Sequence, residues 1–428
     1  MSKKNHTRVQ EFRQLQKEIR GSDEYLIVGI DVAKERHSAF FGTATGKTLF
    51  RRLIFGNDRQ GFERLLLQAE AMRVQHGLKK VVFGLEPTAN YHKPLGEYLI
   101  TGGHGVVLVS AKSVKRNREL LDGRWDKHDT KDSANVADLI SQGKCLYYEH
   151  PELKLRQLRG LLSLKRRLKR QEHGLRVRIR NHLIAQYFPE FDRYFGRSES
   201  EGLAIVRWCL GPSVIASLAY DQFARWVAPG TRGIRQQERL RAIWQKACVS
   251  IGCEVGEAVR FEAKLMVEGL KQIREALRAT EARIREICGG FAEYEYLLTI
   301  PGFGPDVSSK VLGAIGDPFR FTRGSQVLKM AGLDLVADRS GKRSDGVVPV
   351  ISKNGKADLR YALYQAAMIA SSRDRDFIMW FTNRVRGRQR EKGIKTRMRV
   401  KLSAKLLVIA WTIMKKKEPF NPDYLRIE

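Results

Sequence analysis

The chain has 428 residues, with 78 Lys and Arg against 47 Asp and Glu, a formal net charge of +31 and a pI near 10.1. A surplus that large, spread over the whole length, points to a polyanionic partner, most simply nucleic acid. No apolar run can span a bilayer, no lipidation signal occurs, and the opening MSKKNHTRVQEFRQ lacks the apolar core of a signal peptide, so neither a membrane role nor secretion is expected.

The length suggests two or three domains. Residues 1–22 read as a polar, basic leader. Tyr25 to Ile30 is a short apolar run that reads as a buried strand, and it ends in an acid, Asp31. Alone, that acid is more simply an exposed strand terminus; a divalent cation in a cleft is the other use for it. A hairpin partner follows at Ser38 to Phe41, then a strand around Leu49 to Phe55 and a helix with Phe62, Leu65, Leu66 and Ala69 on one face. Val81 to Leu85 is a fourth strand and again ends in an acid, Glu86; Val106 to Val109 is a fifth. Strands first in hairpins, then alternating with helices, predict a mixed sheet flanked by helices over residues 23–150. Gly42 to Thr48 imitates a phosphate-binding loop, but it joins strand to strand and reads as a hairpin turn.

A helix is predicted to begin near Asp129, with Asp132 three residues on and on the same face. Helix capping and dipole stabilisation explain this pair as well as metal binding does. Pro151 to Phe188 reads as one long basic helix, with Leu161, Leu168 and Leu175 recurring every seven residues. Lys165, Arg166, Arg167, Lys169 and Arg170 crowd its other faces as a candidate nucleic-acid surface. A second coiled-coil seam, Met266, Leu270, Ile273, Leu277, Ile284 and Ile287, lies on a helix from Glu257. The two helices could pair with each other or across a dimer; together they make residues 151–290 a coiled coil, with a small helical insert at about 190–254.

Residues 291–428 read as a mostly helical C-terminal domain. Ile300-Pro-Gly-Phe-Gly304 between two helical stretches is the pattern of a helix-hairpin-helix motif, in which Gly302 and Gly304 would let the backbone approach a phosphate. Ser340 sits among Arg339, Lys342 and Arg343, with Lys353 further on; a serine there can attack a phosphodiester if its proton is removed, although by itself the stretch reads as a polar basic loop. The five cysteines, Cys145, Cys209, Cys248, Cys253 and Cys288, are scattered and contain no C-x-x-C pair, which speaks against a disulfide framework or a zinc site and for a reducing cytosol.

Taken in order, GIDVAKE at 29–35, GLEPTANY at 84–91, KHDTKDSANVADLI at 127–140, TIPGFG at 299–304, AGL at 331–333, RSG at 339–341 and ISKNGKADLR at 351–360 resemble the DEDD transposases of bacterial insertion sequences, the IS-one-ten family. That family includes Piv-type DNA invertases and bridge-RNA-guided recombinases. The resemblance implies an N-terminal RuvC-like domain of RNase-H fold whose acids, here Asp31, Glu86, Asp129 and Asp132, bind Mg2+. It implies Ser340 as the nucleophile of a serine-linked DNA intermediate, by its offset from Ala331-Gly-Leu333. It further implies donor and target DNA as substrates, a noncoding guide RNA, a homo-oligomer (dimer or tetramer), and a cytoplasmic, nucleoid-associated setting. The chain departs from the pattern at Leu335, where the family often has proline, at EPTANY, where EATG-type sequences are common, and in a longer middle region. The competing reading is a metal-dependent, structure-specific nuclease with water in place of Ser340. A non-catalytic nucleic-acid-binding protein leaves the four acids unexplained, and an actin-like ATPase would need glycine-rich phosphate loops near Asp31.

Overall fold

Alternation along β1 (Tyr25–Asp31) explains why its apolar run is continuous. Leu26, Val28 and Ile30 enter one core and Tyr25 and Ile27 enter another, so the strand is covered on both faces. The computed structural model describes residues 3–122, 129–196, 199–208, 210–336 and 349–425. The chain divides into two compact units, Met1–Glu152 with Phe319–Thr322, and Leu153–Pro318 with Arg323–Glu428.

The first unit is built on a six-stranded sheet of order β3-β2-β1-β4-β5-β6. Its further strands are β2 (Arg36–Thr43), β3 (Thr48–Gly56), β4 (Lys80–Leu85), β5 (Gly105–Leu108) and β6 (Leu146–Tyr147). β1, β2 and β3 are antiparallel, β4 and β5 run parallel to β1, and β6 closes the edge antiparallel to β5. Its helices are α1 (Lys3–Glu18), α2 (Arg59–Gln75), α3 (His92–Thr101), α4 (Ala111–Asp122) and α5 (Asp129–Ser141). Phe62 and Leu65 of α2 pack with Leu95 and Leu99 of α3 on the Val28 face, while Val136 and Ile140 of α5 pack on the Ile27 face. The N-terminal stretch is part of this body: Phe12 and Leu15 pack on the α5-side core and Ile19 is fully buried in it. The imitation phosphate loop is the β2–β3 turn. Thr43 N donates to Lys47 O at 2.9 Å, and Gly46 takes the positive φ the turn needs.

Among the described residues, the second unit's only strands are the two-stranded pair β7 (Leu335–Val336) and β8 (Val350–Ile351), and its other elements are helices. α6 (Leu153–Arg178) continues through a π-helical stretch, Ile179–Ile184, into α7 (Ala185–Tyr187). Then come α8 (Asp192–Phe195), α9 (Glu199–Trp208), α10 (Pro212–Ala216), α11 (Tyr220–Val227) and α12 (Ile234–Cys248). These pack around a core that includes Phe188, Phe191, Ile205, Phe223 and Ile243 and that takes in Ala263, Val267 and Leu270 of the long helix that follows. α13 (Glu257–Gly289) returns along α6, so the two long helices pair within one chain. The remainder is α14 (Ala292–Leu298), α15 (Pro305–Ile315), α16 (Gly324–Ala331), α17 (Ala357–Arg373), α18 (Arg375–Val385) and α19 (Ile394–Lys416). The architecture is a mixed α/β N-terminal region followed by a mostly helical remainder, as the sequence predicts. Among the described residues no helix is long and apolar enough to cross a membrane.

Candidate carboxylate site and nucleic-acid surface

Asp31 is the last residue of β1, and Glu86 directly follows β4. In the parallel register Gly29 pairs with Gly84 and Ile30 with Leu85, so the two acids stand at neighbouring strand ends. Strand alternation puts Tyr25, Ile27, Gly29 and Asp31 in phase on one face, and Val82, Gly84 and Glu86 on the same face. That face carries α5. A Cβ at position 29 would lie 2.2 Å from the Ser133 carbonyl oxygen, and one at position 84 would lie 1.9 Å from Ile140 Cδ1. At position 29, where the neighbour is helix backbone, only glycine lets the helix lie that close. Asp132 lies next to Ser133 on that helix, but among the described residues no group of three or more His, Cys, Asp or Glu side chains comes together as a metal site.

Asp132 is 2% exposed. Such a carboxylate needs a compensating cation. Arg118 of α4 supplies one, donating from Nε at 2.9 Å and from Nη2 at 2.6 Å, both to Oδ1. Beside this pair, buried Asn117 donates to Asn135 Oδ1 at 2.9 Å and to Asp138 Oδ2 at 2.6 Å, and Asn135 donates to Val114 O at 2.8 Å. α4 is thus tied to α5 by polar contacts as well as packing. The turn after Asp31 is held by His37, whose Nδ1 accepts from Ala33 N at 3.2 Å. Burial lowers the His37 pKa, which keeps that nitrogen an acceptor. Ala89, three residues beyond Glu86, has φ 45, a left-handed backbone unusual for alanine. Sequence reasoning missed Arg118, Asn117, Asn135 and His37. It also passed over a usable signal, the repeated Gly-x-acid of Gly29-Ile-Asp31 and Gly84-Leu-Glu86.

The other sequence candidates fare unequally. Asp129 opens α5, but its side chain lies outside the described residues, as do Ser340, Arg339, Lys342 and Arg343. The segment carrying Ser340 leaves from β7 and returns at β8, where Val336 pairs with Val350. The ends of that excursion are clasped. Lys353 N donates to Gly332 O at 3.1 Å, Lys356 N to Met330 O at 3.1 Å, and Arg360 Nη1 to Ala331 O at 2.9 Å. The AGL and ISKNG motifs therefore lock together, and Lys353 is exposed on that clasp.

Lys165 does not belong to an exposed basic face. It is 7% exposed and bonded to Glu281 and Asp306, each at 2.7 Å, so its charge is consumed internally. Gly302 has a structural reason of its own: its φ is positive, and a Cβ there would lie 2.4 Å from Ala366 O, so it lets the turn press on α17. Gly304, at the start of α15, stands open. Arg166, Arg167, Lys169 and Arg170 are exposed on α6, with Arg166 paired to Asp358 at 3.2 Å.

Two family models match the chain: the DEDD transposase model of IS110 over residues 28–189, and the transposase model of the IS116/IS110/IS902 family over residues 294–379. Together they cover more than half of it. The chain belongs to the IS110 family of transposases. It is 23% identical to a protein of insertion element IS116 from Streptomyces clavuligerus, over 92% of this chain and 96% of the relative. It is 24% identical to the pilin gene-inverting protein of Moraxella bovis, over 92% of this chain and 97% of the relative. It is 23% identical to the mini-circle putative transposase for IS117 of Streptomyces coelicolor, over 74% and 77%. The transposase is accordingly an enzyme that acts on DNA, and the Asp31–Glu86 strand ends and the AGL clasp both fall inside the matched segments.

Proposed function

We propose that this transposase cuts and rejoins DNA through a serine-linked intermediate at Ser340, with Asp31, Glu86, Asp129 and Asp132 as ligands for Mg2+. The N-terminal unit is read as a RuvC-like domain and the α14–α15 turn as a helix-hairpin-helix. The observation that carries the reading is the pairing of Ile30 with Leu85, which sets two acids on one face at adjacent strand ends, with α5 laid against the glycines before them. The donor set suits a hard divalent cation. Buried Asp132 already draws a guanidinium, and Arg118 uses only Oδ1 of it. Bound there, Mg2+ would neutralise charge developing on the phosphodiester and ease deprotonation of the serine. The chain's own part is to hold the carboxylates rigidly and to deliver the Ser340 hydroxyl to phosphorus, making a phosphoserine link and releasing a DNA hydroxyl. Because the link keeps the phosphodiester energy, the released end can be replaced by another in strand exchange. The enzyme is further read as a homo-oligomer guided by a structured RNA from its own element.

The test is Ser340→Ala, with wild-type protein trapped on nicked DNA. Ser340→Ala should bind DNA and lose both cleavage and strand exchange, and the trapped wild type should carry its phosphodiester on Ser340 by mass spectrometry. Cleavage by Ser340→Ala at the wild-type rate would make water the nucleophile and the enzyme a nuclease.

A further inference from the structure

A dense run of positive charge in the second unit lies beyond both family-model matches, where α18 turns into α19. Between Arg384 and Lys405 the sequence holds ten basic side chains and one carboxylate, Glu391. This stretch is an anchored turn. Val385 and Ile394, which close its two ends, are 7% and 2% exposed. Backbone hydrogen bonds step through it in threes: Arg388 N to Val385 O at 2.9 Å, Glu391 N to Arg388 O at 3.0 Å, and Ile394 N to Glu391 O at 3.2 Å. Gly387 and Gly393 take the positive φ values that this winding requires. Glu391 does not cancel the charge. It accepts two bonds from Arg388, at 2.7 and 2.9 Å, and a third from Arg397 at 2.9 Å, which fixes two guanidinium groups in place. Arg386, Arg390, Lys392 and Lys395 are exposed around them. On α6 Lys165 and Arg166, and just beyond it Arg180, each have a carboxylate partner of their own, whereas here Arg388 and Arg397 share one.

We propose that the α18–α19 turn and the first turns of α19 form a second DNA-binding surface that grips the phosphate backbone of duplex DNA without reading its bases. The charge supplies phosphate contacts. The stretch from Arg384 to Lys405 contains no Phe, Trp or Tyr, and the rings beside it, Trp380 and Phe381, are covered by its own Arg384 at 4.0 Å and Arg399 at 5.5 Å rather than left open to stack on unpaired bases. This surface rests on the reading of the chain as an enzyme of DNA but not on the serine chemistry.

The experiment measures binding of the full chain to a random-sequence DNA duplex across salt concentrations. Arg386→Gln, Arg390→Gln, Lys392→Gln and Lys395→Gln are combined in one variant. All four side chains are solvent-exposed, so the melting temperature should not move. Each lost phosphate contact lowers the slope of log affinity against log salt by roughly 0.9, so the combined variant should lose about three and a half units of slope and at least about tenfold in affinity at low salt. Arg386→Lys with Arg390→Lys should keep the wild-type slope. Ser340→Ala should match wild type in this assay, which separates failure of this surface from failure of the serine assignment. An unchanged slope in the glutamine variant overturns the proposal. So does a loss of slope in the lysine variant, or a loss confined to an RNA duplex.

Discussion

A methyl group at position 29 would meet backbone, whereas one at position 84 would meet the end of a flexible isoleucine. That difference makes a graded prediction. Gly29→Ala must push α5 away from β1, with a cost of about 1–3 kcal/mol, while Gly84→Ala needs only a new rotamer at Ile140 and should cost less. Thermal melting checks the order, and equal or reversed costs would contradict the close packing of α5. Because Asp132 rides on that helix, Gly29→Ala should also lower DNA cleavage more than its stability loss explains. At this scale the sequence shows the acids as ends of apolar runs, and they are legible for that reason. Arg118 and Asn117 are not, because their partners lie 14 and 18 residues away on another helix, and no local pattern signals a polar contact across a helix pair.

The pairing of α6 with α13 shows how an element can be right in its limits and wrong in its facing. The leucine repeat at Leu161, Leu168 and Leu175 marks a half-buried flank. The inward line is Leu158, Lys165, Glu172 and Ile179, also seven apart, with two charged members. Across from them, Glu281 bonds to Lys165 at 2.7 Å and Arg274 to Glu172 at 3.1 Å, an exchange of sign that fits only one antiparallel register. Charges at inward positions make a heptad hard to read by hydrophobicity alone. Glu172→Arg should therefore destabilise the chain by about 1–3 kcal/mol, and adding Arg274→Glu should recover part of the loss in denaturant melts. Full additivity of the two losses would contradict the register argument. The same hub gives a pH dependence. Burial pushes the Asp306 carboxyl up, but Lys165 and Lys310 override it and hold it at about 2. Its folded-state value is depressed, so its contribution is complete above the ordinary Asp range near 4 and is lost as pH falls through about 2. Asp306→Asn should flatten the acid limb of the stability curve in that window.

Across the whole molecule, the order of the parts was legible: an α/β body, paired long helices, then a helical remainder. Each is written in the period of its apolar residues, which survives without any knowledge of contacts. The role of residues 190–254 was not legible, although the structure packs them around Phe191 and Phe223 in a core shared with α13. Nothing in a periodic pattern says what such a core is for. Whether Asp31 and Glu86 serve one cation together is decided by a binding measurement rather than an activity assay. Titrating the full chain with Mn2+ and following the metal by electron paramagnetic resonance tests it directly. Wild type should hold Mn2+ competed by Mg2+, and Asp31→Asn and Glu86→Gln should each lose that binding with melting temperatures unchanged or raised. Undiminished Mn2+ binding in both variants would contradict the shared site.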